Sequence, residues 1–212
     1  EYYDVSSKHK DSVEWAKSAI KRLRKFDFNT IGSWSDPYLF YYDMPFTVML
    51  GMPSTSDHRL VDVFDPLFNE RVEQNVSSKC RRYKDSKYLL GYFIDNELPW
   101  YGDVGWYTGH VSTLLDEYAK LPKNAAGRQK LAKFLEQKYG KSVDEFLRVR
   151  GAEAREAREL FVGVIAEQYF SVACGYIKKY DPNHMILGVR FANNAPEEVT
   201  KACGKYCDVI SV

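Results

Sequence analysis

Segments patterned like β-strands alternate with segments of helical periodicity along the whole chain, and that alternation restricts the fold more than any other feature. The clearest strand is Tyr88-Leu-Leu-Gly-Tyr-Phe-Ile94, an almost unbroken apolar run. Such a run suits a sheet covered on both faces, the environment of parallel strands joined by helical crossovers. Four further segments read as strands: residues 29–34, 46–50, 185–190 and 208–212, the last a β-branched run that predicts burial. Asp36-Pro37 and Gly51-Met-Pro53 stop the first two of these.

Helices fill the intervals. Over residues 11–25 Val13, Ala16, Ile20 and Leu23 recur at helical spacing, with Asp11 at the start and Arg22, Arg24 and Lys25 at the end. Asp65-Pro66 pairs a cap residue with a proline at the first helical position, opening a helix to about Arg82. Residues 114–120, 125–139, 152–180 and 194–206 are also helical, and Ser142-x-x-Glu145 is a capping box. The helices between the strand at 88–94 and that at 185–190 exceed one crossover, so a helical insertion follows that strand.

Five strands in 212 residues leave two architectures open. A doubly wound sheet suits five strands but usually carries a glycine-rich phosphate turn, and neither G-x-G-x-x-G nor a P-loop occurs. A (β/α)8 barrel needs about 250 residues and eight such units, so here it would be partial. With no repeat or flexible linker, residues 1–212 read as one domain. Termination inside a buried-looking strand suggests that this domain is incomplete.

The balance of 30 Lys+Arg against 29 Asp+Glu, a net charge of +1, offers no footprint for nucleic acid or an anionic membrane. Purely apolar runs fall far short of about 20 residues, so no bilayer-spanning helix is expected. Cys80, Cys174, Cys203 and Cys207 lack C-x-x-C spacing and read as small buried hydrophobes. His9, His58, His110 and His184 are scattered without zinc spacing, so no metal is assigned. Aromatic residues make up 15% of the chain, enough for a heavy core or for stacking platforms in a cleft.

Chemistry in parallel α/β folds sits where strands end and loops begin. Asp95-Asn96-Glu97 directly follows the apolar strand, and Leu98-Pro99-Trp100 comes next. One reading is a solvated strand terminus. The other is sugar chemistry, with one carboxylic acid protonating a glycosidic oxygen while an amide fixes a neighbouring hydroxyl. Trp34 and Trp100 at strand ends are candidate stacking surfaces for pyranose faces, or rim packing. Asp36 is a hydroxyl acceptor or the start of its Asp-Pro turn. Arg190 requires a partner if it points inward, either to position a glutamate or as a structural ion pair. Asp95 shares a strand face with Glu97 under strict alternation, where like charge would raise the acid's pKa.

Leu90-Gly-Tyr-Phe-Ile-Asp-Asn-Glu97-Leu-Pro-Trp100 resembles the fourth-strand motif of clan A glycoside hydrolases, in particular the β-agarases of family fifty and more distantly the β-galactosidases of family forty-two. Phe28-Asn-Thr-Ile-Gly-Ser-Trp-Ser-Asp36 resembles their second strand and Leu187-Gly-Val-Arg-Phe-Ala192 their fifth. Phe134-Leu-Glu-Gln-Lys-Tyr-Gly140, in the insertion, is also similar to the agarase pattern. The resemblance implies a partial (β/α)8 barrel holding strands two to six. It implies a retaining glycosidase acting without a cofactor on a galactan, secreted or periplasmic. Glu97 would be its general acid/base and Asn96 its contact to the hydroxyl beside the anomeric carbon. Trp34, Asp36, Asp95, Trp100 and Arg190 are the further substrate-site candidates. The nucleophile ends the seventh strand in that clan, so the resemblance implies a nucleophile outside these residues. The rival expectations are a sugar-binding barrel without catalysis and a metal enzyme using Asp95 and Glu97 with a distant histidine.

Overall fold

The computed structural model describes residues 8–56, 59–104 and 110–212. The described strands are β1 (Phe46–Met49), the short antiparallel pair β2 (Thr55–Ser56) and β3 (Arg59–Leu60), β4 (Leu89–Phe93) and β5 (Met185–Ile186). β1, β4 and β5 form one parallel sheet in that order, with Val48 opposite Tyr92 and Tyr92 opposite Ile186. Single parallel bridges extend it outward, from Ile31 to Phe46 on one flank and from Arg190 to Ser211 on the other. Chain order and spatial order therefore coincide across five positions. The fold is mixed α/β.

Two sequence expectations are corrected at these flanks. The segments at 29–34 and 208–212 contribute only the Ile31 and Ser211 bridges rather than extended strands. Nor is the second one buried, since Val209, Ile210 and Val212 are 39%, 41% and 94% exposed. Among the described residues each segment pairs on one side only, so half of its backbone groups gain nothing from further extension. β2 and β3 were not foreseen, because two-residue strands carry no period.

Helical expectations hold closely. α1 (Ser12–Lys25) starts at Asp11, whose carboxylate accepts the Glu14 N–H at 2.8 Å. α2 (Pro66–Tyr83) starts at Asp65, which accepts the Leu67 N–H at 2.9 Å. α3 (Leu114–Lys120), α4 (Ala126–Tyr139) and α5 (Val143–Phe146) form the insertion after β4. At α5 both halves of the Ser142/Glu145 capping box are made. α6 (Ala152–Tyr180) and α7 (Glu197–Tyr206) flank β5 in sequence.

By length and composition alone α6, with its 29 residues, is long and apolar enough to cross a bilayer. Its apolarity has a local cause. α2, α3, α4 and α7 all pack on it, and Phe161, Ile165, Tyr169, Phe170, Ala173 and Ile177 are fully buried among them. A helix enclosed on most sides loses its polar stripe.

Close approach is built in at two glycines. A Cβ on Gly91 would stand 2.2 Å from the Met185 carbonyl oxygen, so β4 meets β5 only with glycine there. A Cβ on Gly163 would meet the Glu198 Cβ at 2.9 Å, where α6 and α7 touch.

Candidate active site

The parallel strands end on one side of the sheet, and the predicted residues Trp34, Asn96, Glu97 and Arg190 meet there. Asn96 and Arg190 face each other across a parallel bridge. Their side chains also join, the Arg190 guanidinium donating to the Asn96 amide oxygen at 2.8 Å. The same guanidinium lies 5.0 Å from the Trp34 ring centroid, a cation–π distance. The Glu97 N–H donates to the Arg190 carbonyl oxygen at 2.8 Å. Arg190 thus organises three neighbours: a side-chain amide, an indole face and the backbone of the glutamate.

Backbone conformation marks the same place. Among the described residues four non-glycine positions have positive φ, and three of them lie at strand ends here: Trp34 at 65°, Glu97 at 53° and Asn193 at 61°. Asparagine tolerates the left-handed region, whereas tryptophan and glutamate pay about 1–2 kcal/mol to occupy it. Such residues persist only where neighbours fix them, and they cluster at functional sites. Glu97 and Trp34 are both exposed, the latter by 62%, so both side chains are accessible from solvent.

Asp95 sits differently. Its carboxylate accepts from the Ser54 hydroxyl and, at 3.2 Å, from the Tyr169 hydroxyl of α6. The Asn96 N–H approaches its other oxygen at 3.2 Å. Burial raises its pKa above the ordinary carboxylate value, against the opposing pull of hydrogen bonds from Ser54, Asn96, Tyr169 and the Met52 backbone. Tyr169 is wholly buried, and burial together with the neighbouring Asp95 charge pushes its hydroxyl well above 10. Lys79 of α2 donates to the Leu50 carbonyl at the end of β1, and desolvation lowers its pKa although the Asp95 charge works the other way.

The remaining predicted positions separate from this group. Trp100 is 2% exposed and packs against Tyr169 and Phe170 with ring centroids 5.6 and 6.0 Å away, so its ring serves the core and offers no open stacking face. Asp36 is exposed and accepts the Tyr38 N–H at 2.9 Å, capping a short 3-10 turn at Pro37–Tyr41. That is the turn-forming role open to it from sequence. His58 lies outside the described residues. Among the described residues no group of three or more His, Cys, Asp or Glu is arranged to hold a metal ion.

Ser54 and Tyr169 are the residues whose importance sequence reasoning missed. Ser54 belongs to a strand-end segment of ordinary turn composition, and nothing in it signals a carboxylate 41 positions away. Tyr169 reads as one more core aromatic at helical spacing. The available signal was chemical: a tyrosine on the buried face of a helix needs a partner for its hydroxyl.

The parallel strands of this α/β protein bring a carboxylate, an amide, a guanidinium and an indole to one end, the side on which parallel α/β folds place their functional groups. Comparison with known proteins gives the particular relatives. β-Agarase B of Vibrio sp. (strain JT0107) is 26% identical over 231 aligned positions, covering 93% of this chain and 24% of that protein. The structure of an exo-β-agarase matches with a TM-score of 0.79 at 25% identity, over 98% of this chain and 32% of the other. PfGH50B matches with a TM-score of 0.76 at 27% identity, over 93% of this chain and 33% of the other. No family model matches the sequence. In sequence and in fold the chain is β-agarase-like, as the motifs suggested, and it spans about a quarter of the length of the curated relatives it matches.

Proposed function

We propose that the protein containing this chain is a retaining glycoside hydrolase of β-agarase type that cleaves β-galactosidic bonds in an agarose-like galactan. The observation that carries the reading is the Asn96–Glu97 pair, held on Arg190 at a strand end in a chain whose named relatives are β-agarases. Glu97 is the general acid/base and Asn96 the contact to the hydroxyl beside the anomeric carbon. Trp34 is the surface on which a sugar ring stacks, with Arg190 beneath it as orienting partner. Five parallel positions in chain order support reading the sheet as strands two to six of a (β/α)8 barrel, one domain continued beyond these residues.

Two displacements follow from that assignment. A carboxylate outside this chain attacks the anomeric carbon while Glu97 gives its proton to the leaving oxygen, and a glycosyl–enzyme ester forms. Glu97, now a carboxylate, takes a proton from water as that water attacks the same carbon. The ester breaks, and the sugar leaves with its configuration retained. No cofactor enters either step. A polymeric substrate fits a secreted or periplasmic enzyme with no need of nucleic-acid or membrane partners.

The test uses the full-length protein and its Glu97→Gln variant on agarose and on an aryl β-galactoside with a good leaving group. The variant should lose about 100- to 10,000-fold on agarose, the usual contribution of a general acid/base. Azide, which attacks without base assistance, should restore turnover of the aryl substrate and release a galactosyl azide. Wild-type activity of the variant on both substrates refutes the assignment.

A further inference from the structure

We propose that Asp95 is the positioning residue of this site, anchored by Ser54 and Tyr169 so that Glu97 is held in its left-handed backbone conformation. The inference rests on the reading of Glu97 as the acid/base. Its basis is the way consecutive residues of one strand end are fixed. Asp95 accepts from the Ser54 hydroxyl in the loop after β1 and from the Tyr169 hydroxyl of α6, 3.2 Å away. Asn96 accepts from Arg190, after β5, at 2.8 Å. Glu97 follows with φ at 53° and its N–H on the Arg190 carbonyl.

Successive side chains of an extended strand point to opposite faces. Asp95 and Asn96 are accordingly gripped from opposite sides by residues of three different segments, and the chain turns immediately afterwards. Glutamate has no intrinsic preference for that turn, so the surroundings must impose it. Removing the grip on Asp95 frees residue 97 to relax toward the β region, which redirects its carboxyl group. A misplacement of about 1 Å at a reacting group can cost on the order of 100-fold in rate.

Asp95 is part-buried, and three protein groups donate to its carboxylate: the Ser54 and Tyr169 hydroxyls and the Asn96 N–H. Ser54 is 1% exposed and Tyr169 is fully buried. The network is therefore internal support rather than part of the sugar-contacting surface, and it should act on turnover more than on binding.

The experiment measures kcat and KM on agaro-oligosaccharides for the full-length protein and its Tyr169→Phe, Ser54→Ala, Asp95→Asn and Asp95→Ala variants, with a thermal melt of each. Tyr169→Phe removes one hydroxyl and keeps the ring, so the fold should survive. Its kcat should fall about tenfold or more while KM stays within about threefold. Asp95→Asn, which keeps an acceptor, should retain more kcat than Asp95→Ala. If Asp95→Ala does not fold, Tyr169→Phe and Ser54→Ala decide. Wild-type kcat in both of those overturns the proposal, as does a loss confined to KM or to the folded fraction. Glu97→Gln run alongside separates the two ideas. An inactive Glu97→Gln beside fully active Tyr169→Phe and Ser54→Ala sinks only the positioning role, whereas an active Glu97→Gln sinks the underlying assignment and this inference with it.

Discussion

Glu97 and the two tryptophans show how little a residue's type says about its task. Trp34 and Trp100 stand at equivalent places in the sequence pattern, each just past a strand. In the structure Trp34 is 62% exposed over Arg190, and Trp100 is 2% exposed against Tyr169 and Phe170. Truncation should separate them. Trp100→Ala opens a cavity in the core and should cost about 3–5 kcal/mol in urea denaturation. Trp34→Ala should change stability by no more than about 0.5 kcal/mol and raise KM for agaro-oligosaccharides. Glu97 carries a complementary signature. Glycine occupies positive φ without steric penalty, so Glu97→Gly should abolish turnover yet raise the unfolding free energy measured in urea, by up to about 1 kcal/mol once glycine's entropic cost is set against the relief. A variant more stable and less active than its parent is what a site under conformational constraint produces.

At the scale of elements, helices were legible and strands only in part, for reasons that particular residues make plain. Asp11, Asp65 and the Ser142/Glu145 box announce α1, α2 and α5 because a cap is local chemistry, written within four residues. The central strand β4 was legible from its apolar run. The outer segments also read as strands but, among the described residues, pair on one side only, and pairing is a property of the whole sheet rather than of the segment. Asn96 and Glu97 could be read from their position after an apolar strand. Ser54 and Tyr169 could not, since their bond to Asp95 spans 41 and 74 positions. Close packing was equally silent in sequence and yields its own expectation. Gly163→Val would drive a branched side chain into the Glu198 Cβ, forcing α7 away from α6. Overpacking of that kind should cost about 1–3 kcal/mol in denaturant unfolding. Gly175 has no neighbour within reach of an added Cβ, so Gly175→Ala in the same helix is the control and should stabilise slightly.

Across the whole molecule two acidic groups at opposite ends of the sheet pull stability in opposite directions with pH. Asp181 lies just before β5, where it accepts from the Tyr92 hydroxyl at 2.7 Å and pairs with His184 at 2.7 Å. Burial raises its pKa, but those bonds and the Asn183 N–H outweigh burial and leave it below the ordinary value of 3.8. A carboxylate depressed on folding contributes stability that is present above about pH 3.8 and lost as pH falls through the folded value. Asp95 at the strand ends is raised from the same 3.8. Its contribution is present below that value and lost as pH rises through the folded one, so the ionised group costs stability at neutral pH. Ionised Asp95 therefore weakens the fold, whereas ionised Asp181 strengthens it. Urea unfolding of the wild type, Asp181→Asn and Asp95→Asn from acid to neutral pH resolves the two. Asp181→Asn should be least stable relative to wild type at neutral pH and converge on it below about pH 4. Asp95→Asn should show the reverse slope, its stability relative to wild type rising from acid to neutral pH. Parallel curves for both variants would mean that neither carboxyl group changes its proton affinity on folding.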